Sequence, residues 1–245
     1  MSALIMARNL KKSHTRRGLF GQGRGVVLPG VDFEIWPGQW VVLAGKSGCG
    51  KTTLARVLAG LDAADSGKVL VNYNVASPLM LQSEVCWIPQ DPGRSLNPHF
   101  TTLEAILEPI EIKRLPYELA EQCASRAGLE ASLLPRRIGE LSGGQKARAA
   151  IARALTVEPS LLILDESLAA LDLALQEQIL DALLVQSKQA NMSCLFIAHE
   201  TALLEKTAAR IELMEKGRFV EKASPIWQEW RAAQPKWITN EGLSG

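Results

Sequence analysis

The sequence predicts an α/β fold. Two observations carry this expectation: an apolar strand leads straight into a glycine-rich loop and an amphipathic helix, and a second apolar run ends on two adjacent acids. A length of 245 residues sets the scale. It suits one large domain, or one domain with a sizeable insertion, and can bury a core without metals or disulfides.

Gln39 to Ala44 reads as the first short buried strand. It runs into Gly45-Lys46-Ser47-Gly48-Cys49-Gly50-Lys51-Thr52-Thr53, which fits G-x-x-x-x-G-K-[ST] in full. Leu54, Val57, Leu58 and Leu61 follow at i, i+3, i+4 and i+7, the apolar stripe of a helix packed on a sheet. Glycines let the backbone curl so that successive N–H groups converge on phosphate oxygens. The helix N-terminus adds partial positive charge. Lys51 is placed to reach β- and γ-phosphates, and the Thr52 hydroxyl to ligate Mg²⁺.

The second apolar run, Ser160 to Leu164, stops at Asp165-Glu166. A carboxylate at a strand end beside a phosphate loop can hold the magnesium shell, the role expected of Asp165. Glu166 can then polarise the attacking water as a general base.

A third segment, Leu141-Ser142-Gly143-Gly144-Gln145, precedes an Ala- and Arg-rich stretch, Lys146 to Leu155, that is helical by propensity. Ser142 is a natural cap, and the two glycines leave backbone N–H groups open at the helix start. It reads as a second anion site in the same chain.

Composition narrows the function classes. Lys and Arg number 27 against 26 Asp and Glu, a net charge of +1, which gives no support to a general nucleic-acid binder. A hydrophobic share of 47% excludes wholesale disorder. No run of about 18 apolar residues encodes a transmembrane helix. Arg8, Lys11 and Lys12 follow the first apolar residues instead of preceding them, so the start of the chain does not read as a signal peptide, and the cytosol is the expected compartment. Cys49, Cys86, Cys123 and Cys194 are far apart and form no Cys-x-x-Cys pair, and the histidines are only His14, His99 and His199. Reduced thiols and no zinc or His-rich site are expected.

Together the three segments resemble the nucleotide-binding subunit of an ATP-binding cassette (ABC) transporter. Leu141 to Gln145 is that family's signature, unaltered, about 90 residues after the phosphate loop and directly before the Asp165-Glu166 strand. The resemblance runs from about Leu4 to about Val220. It implies an α/β P-loop NTPase: a RecA-like core, an antiparallel β subdomain and an inserted α-helical signature subdomain. The expected bounds are 1–222 for the ATPase domain, with the helical subdomain at about 91–158, and 223–245 for a short tail.

Further roles follow from the resemblance. Gln90, in Trp87-Ile88-Pro89-Gln90-Asp91, matches the Q-loop glutamine that senses Mg²⁺ and the attacking water and relays nucleotide state to a membrane subunit. His199 matches the switch histidine at the γ-phosphate, and Ala169 to Asp172 the D-loop at the dimer seam. His14 falls where an aromatic residue stacks on adenine, with Phe20 as its rival. The chain departs from the usual pattern at Ala169, where Ser is common, at Ser167 and Leu168, where Pro and Thr are common, and at Ala198 and Glu200 beside the histidine. None of these removes a charged catalytic group.

The resemblance also implies ATP and Mg²⁺ as cofactors, with two cassettes facing head to tail. The phosphate loop of one and the signature of the other enclose each ATP, so dimerisation is obligatory for turnover. Implied partners are a second ATPase subunit in a heterodimer, two transmembrane permeases and a solute-binding protein, with no nucleic acid. The implied location is peripheral, on the cytoplasmic face of the inner membrane. Gln90-Asp91-Pro92-Gly93-Arg94-Ser95-Leu96-Asn97-Pro98 resembles the oligopeptide, dipeptide and nickel importer branch, and the compact chain the nickel or metal–opine subunits. The alternatives are a soluble ABC-type ATPase, a subunit for another small solute, a P-loop kinase or GTPase, and a binding module without chemistry.

Leu103, Ile106, Leu107 and Ile110 at helical spacing are expected in the core of the helical subdomain, leaving Phe100 and Leu96 freer to meet a partner. In the tail, Trp227 and Trp230 at i, i+3 pack either on the body or on a partner.

Overall fold

A computed structural model describes residues 4–18, 21–169, 171–198 and 209–234. Two long strands open the chain, β1 (Ile5–Gly18) and β2 (Gly21–Ile35), followed by β3 (Trp40–Ala44) and helix α1 (Lys51–Leu58). Next come β4 (Ser66–Val71), β5 (Asn74–Val75), α2 (Pro78–Glu84) and β6 (Val85–Ile88). Three helices, α3 (Thr102–Lys113), α4 (Glu118–Arg126) and α5 (Gly143–Leu155), separate β6 from β7 (Leu161–Asp165). The remainder is α6 (Leu173–Ala190), β8 (Ser193–Ile197), β9 (Arg210–Glu215), β10 (Arg218–Phe219) and α7 (Pro225–Ala232).

The strands form two sheets. An antiparallel sheet has the order β2-β1-β4-β5, and a six-stranded sheet has the order β10-β9-β3-β8-β7-β6. Within the latter, β3 pairs in parallel with β8 and β9, and β7 with β6 and β8. Strands β3, β7 and β8 are buried along their whole length, as expected where both faces of a parallel sheet are covered.

Their side chains alternate between two cores. Val41, Leu43, Leu161, Ile163, Leu195 and Ile197 join α1 and the antiparallel sheet. Trp40, Val42, Leu162, Leu164, Cys194 and Phe196 join α3 to α6. The period of two thus assigns one face to the β subdomain and the other to the helical insertion. The fold is the α/β core with an antiparallel β portion and inserted helices that the sequence implied.

Helix starts follow local chemistry. Thr101 and Glu104 exchange a capping box at α3, with the Glu104 N–H donating to Thr101 Oγ1 at 3.1 Å and the Thr101 N–H to Glu104 Oε2 at 2.7 Å. Asp172 Oδ1 accepts from the Leu175 N–H at 2.9 Å and starts α6. In α3, Ile106 and Ile110 are fully buried, while Leu103 and Leu107 pack half-buried against the same cluster. Leu96 corrects the expectation that it is free for a partner. It is only 4% exposed and belongs to the helical core, and Phe100 packs half-buried against it. The sequence places Leu96 before the helical stripe, so periodicity carries no signal for its burial. The tail's Trp227 packs on the body, against Ala44 and Leu213, with Trp230 beside it at 5.4 Å between ring centroids.

Candidate nucleotide site

The phosphate loop joins β3 to α1. Gly45 adopts φ +143°, and a side chain there would strike the Met214 carbonyl and the Cys49 thiol. Gly50, at φ +115°, stands at the N-cap of α1 and offers no side-chain cap. Those are conformations that glycine adopts at little cost. A further support comes from β10's end of the chain: the Gly217 N–H donates to the Cys49 carbonyl at 2.8 Å.

Lys51 is 5% exposed. Its Nζ donates to the carbonyls of Gly45 at 2.6 Å and Lys46 at 3.2 Å, so the ammonium lies inside the curl of its own loop. A buried cation hydrogen-bonded to neutral carbonyls suits an incoming anion. Thr52 Oγ1 donates to Asp165 Oδ1 at 3.2 Å. This contact joins the start of α1 to the end of β7.

Asp165 is 3% exposed. Burial pushes its carboxyl above its ordinary value. The Thr52 hydroxyl opposes that push, the adjacent Glu166 charge adds to it, and the Trp87 indole N–H, short of strict hydrogen-bond geometry, opposes it together with Lys51. Glu166 is in the left-handed region at φ +53°, a conformation costing a non-glycine residue about 1–3 kcal/mol. Its N–H donates to the Ile197 carbonyl at 2.9 Å. Gln90 Nε2 donates to Glu166 Oε2 at 2.7 Å. Lys51, Thr52, Gln90, Asp165 and Glu166 are thereby linked at the ends of β3, β6 and β7. Oxygen donors next to a phosphate loop are the set a hard divalent cation takes.

His14 is exposed, and its Nε2 lies 3.3 Å from Thr53 Oγ1 at the start of α1. His199 and Phe20 lie outside the described residues. The signature's own hydrogen bonds are local. Ser142 Oγ accepts from the Gln145 N–H at 3.3 Å, and Gln145 Oε1 accepts from the Ser142 N–H at 2.9 Å. Gly143 has open space around its α-carbon. None of the hydrogen bonds among the described residues joins Ser142–Gln145 to the phosphate loop.

A family description reading "ABC transporter" matches residues 28–169. The chain belongs to the ABC transporter family. It is an ATP-binding and ATP-hydrolysing cassette. Nickel import ATP-binding protein NikE of Escherichia coli O6:K15:H31 is 36% identical over 231 residues, 89% of this chain and 86% of NikE. A probable peptide ABC transporter ATP-binding protein of Sinorhizobium fredii is also 36% identical, over 233 residues, 89% of this chain and 66% of that longer protein. Among solved structures, the dimeric structure of MJ0796, a bacterial ABC transporter cassette, aligns with a TM-score of 0.78 at 25% identity, covering 89% of this chain and 97% of that one.

Several contacts in this ABC cassette escape sequence reasoning. Gln176 Nε2 donates to the Leu168 and Leu171 carbonyls, both at 2.8 Å, and so ties down the turn between β7 and α6. Arg56 forms two hydrogen bonds to Asp62, at 2.8 and 3.1 Å, and its guanidinium lies 5.4 Å from the centre of the Trp87 ring. No motif carries a signal for either. All four cysteines are free, and burial pushes the Cys86 and Cys123 thiols up to about 11, which keeps them protonated.

Proposed function

We propose that this cassette powers uptake of nickel, a metal chelate or peptides through two partner permeases. In this reading it pairs with a second ATPase subunit as a heterodimer at the cytoplasmic face of the inner membrane, and a solute-binding protein delivers the cargo. The relatives named as nickel and peptide transport subunits support it. So does the Gln90-to-Pro98 segment. Among the described residues no helix is long and apolar enough to cross a membrane, so such attachment runs through partners. The functional unit is residues 1–222, with the helical subdomain at about 91–158 and the tail at 223–245.

The observation that carries the catalytic reading is the 2.7 Å bond between Gln90 and Glu166, beside the 3.2 Å bond between Thr52 and Asp165. Gly45 to Thr53 wrap the phosphates with backbone N–H groups, and Lys51 turns from its loop carbonyls to the β- and γ-phosphates. Thr52, Asp165 and Gln90 would hold Mg²⁺, which would neutralise developing phosphoryl charge. Glu166 accepts a proton from the attacking water at its carboxylate, and Gln90 orients that carboxylate. His199 contacts the γ-phosphate. His14 stacks on the adenine. Ser142 to Gln145 close the partner subunit's site, where the backbone N–H groups of Gly143 and Gly144 stabilise charge.

Glu166→Gln tests the base. Turnover in the assembled complex falls about 10³-fold while ATP is retained in a closed dimer. Unchanged hydrolysis refutes the assignment. Deleting the gene tests the cargo: loss of nickel uptake with peptide uptake intact assigns metal, the reverse assigns peptides, and loss of neither refutes both.

A further inference from the structure

Trp87, whose indole N–H borders Asp165, has no role in the catalysis proposed above. It lies on β6, opposite Ile163 of β7, with Ile88 opposite Leu164, so its strand runs alongside the one that ends in Asp165. A cavity of about 380 Å³ is lined by Trp87 together with Thr52, Gln90, Asp91 and Asp165. The indole Nε1 is shielded from solvent and has no hydrogen-bond partner of good geometry among the described residues. A buried donor without an acceptor costs about 1–3 kcal/mol and is rare in native proteins.

The ring is also held in place. The Arg56 guanidinium lies 5.4 Å from its centre, and two hydrogen bonds to Asp62 fix that guanidinium. A cation over the face of an indole resists rotation of the ring. Thr52 already donates to Asp165 from α1, at 3.2 Å. A rigid N–H on β6, lining the same cavity, is the donor on the other element that borders this carboxylate.

We propose that Trp87 is a positioning residue: its indole N–H, pinned by Arg56, donates to the Asp165 carboxylate and orients it toward a divalent cation. The inference rests on the reading of Asp165 as the metal-holding carboxylate. Removing a group that holds a metal ligand weakens metal binding by about 10–100-fold.

The test uses the full chain with a non-hydrolysable ATP analogue, and Mn²⁺ as the probe read by electron paramagnetic resonance. Trp87→Phe keeps an aromatic ring for Arg56 to face and removes the N–H, together with the pyrrole half of the indole. Mn²⁺ affinity is expected to fall about ten-fold, with metal-free binding of the analogue unchanged. A folded W87F protein with wild-type Mn²⁺ affinity overturns the proposal. Should W87F fail to fold, Arg56→Met decides. It leaves the N–H but frees the ring, and about a two- to five-fold loss is expected; wild-type affinity there overturns the proposal. Asp165→Ala separates the two levels of inference. If it leaves Mn²⁺ affinity intact, the reading of Asp165 fails; if it weakens Mn²⁺ while W87F does not, Trp87 alone is refuted.

Discussion

Two glycine-bearing helix starts, at α1 and α5, look alike on paper and differ in the folded chain. At α1 the N-cap is Gly50, with no side-chain cap, and the loop before it curls around Lys51. At α5 the N-cap is Ser142, which closes a capping box with Gln145. The first has no side-chain cap, and its Thr52 is bonded to Asp165 at the end of β7. The second satisfies two of its own groups through its capping box. In the mechanism proposed above, one corner binds triphosphate within a single chain and the other completes a site in a partner subunit. A helix N-terminus is therefore a general anion site whose task is set by what the tertiary structure puts opposite it.

That contrast can be broken by mutating each corner. The largest effect is expected from Lys51→Ala. It removes a buried cation that makes charge-assisted hydrogen bonds, and ATP binding by the isolated chain weakens about 10–100-fold by calorimetry. Ser142→Ala is expected to leave that binding unchanged and to depress turnover only in the assembled complex. A fall in monomer affinity with S142A would erase the distinction. S142A also removes a cap and costs about 1 kcal/mol of stability, whereas Ser142→Gly costs a few tenths. Denaturation curves of the two variants separate lost stability from lost catalysis.

Asp165 sharpens the same comparison on the α1 side. Its folded pKa lies above its unfolded value because burial penalises the charged form. The folded chain therefore binds the proton more tightly, and stability is lost as pH rises from the ordinary aspartate value through the folded one. At neutral pH Asp165→Asn removes that penalty. Its melting temperature is expected to exceed wild type by a few degrees, at ~2–4 °C per kcal/mol for a chain of this size, with turnover lost. The gap narrows as pH falls below the ordinary aspartate range. A lower melting temperature for D165N at neutral pH would show that the Thr52 bond outweighs desolvation.

Trp227→Ala probes the back of the phosphate-loop strand, where the tail helix packs on Ala44. About 3–5 kcal/mol of stability is expected to be lost, read by urea denaturation. Nucleotide affinity at the remaining folded fraction is expected to change least of all.

The sequence alone determined the features that one short stretch of chain can encode. The strand, the loop and the helix from Trp40 to Leu58 are contiguous, and their glycines and Lys51 lie within the reach of one turn. The Ser142–Gln145 box spans four residues and is set by local hydrogen bonding. The Asp165-Glu166 pair was legible because a carboxylate after a buried strand lacks a packing reason.

Only the tertiary structure decided which of these groups meet. Gln90 and Glu166 are 76 positions apart, Thr52 and Asp165 are 113 apart, and each pair is made by the order in which parallel strands stack. Periodicity also could not see Leu96 enter the helical core, Gly217 support Cys49, or Arg56 hold the Trp87 ring. The physical reason is common to all of them. Local patterns constrain dihedral angles and faces, whereas contacts between distant residues depend on sheet order and on close packing, to which no single segment of sequence refers.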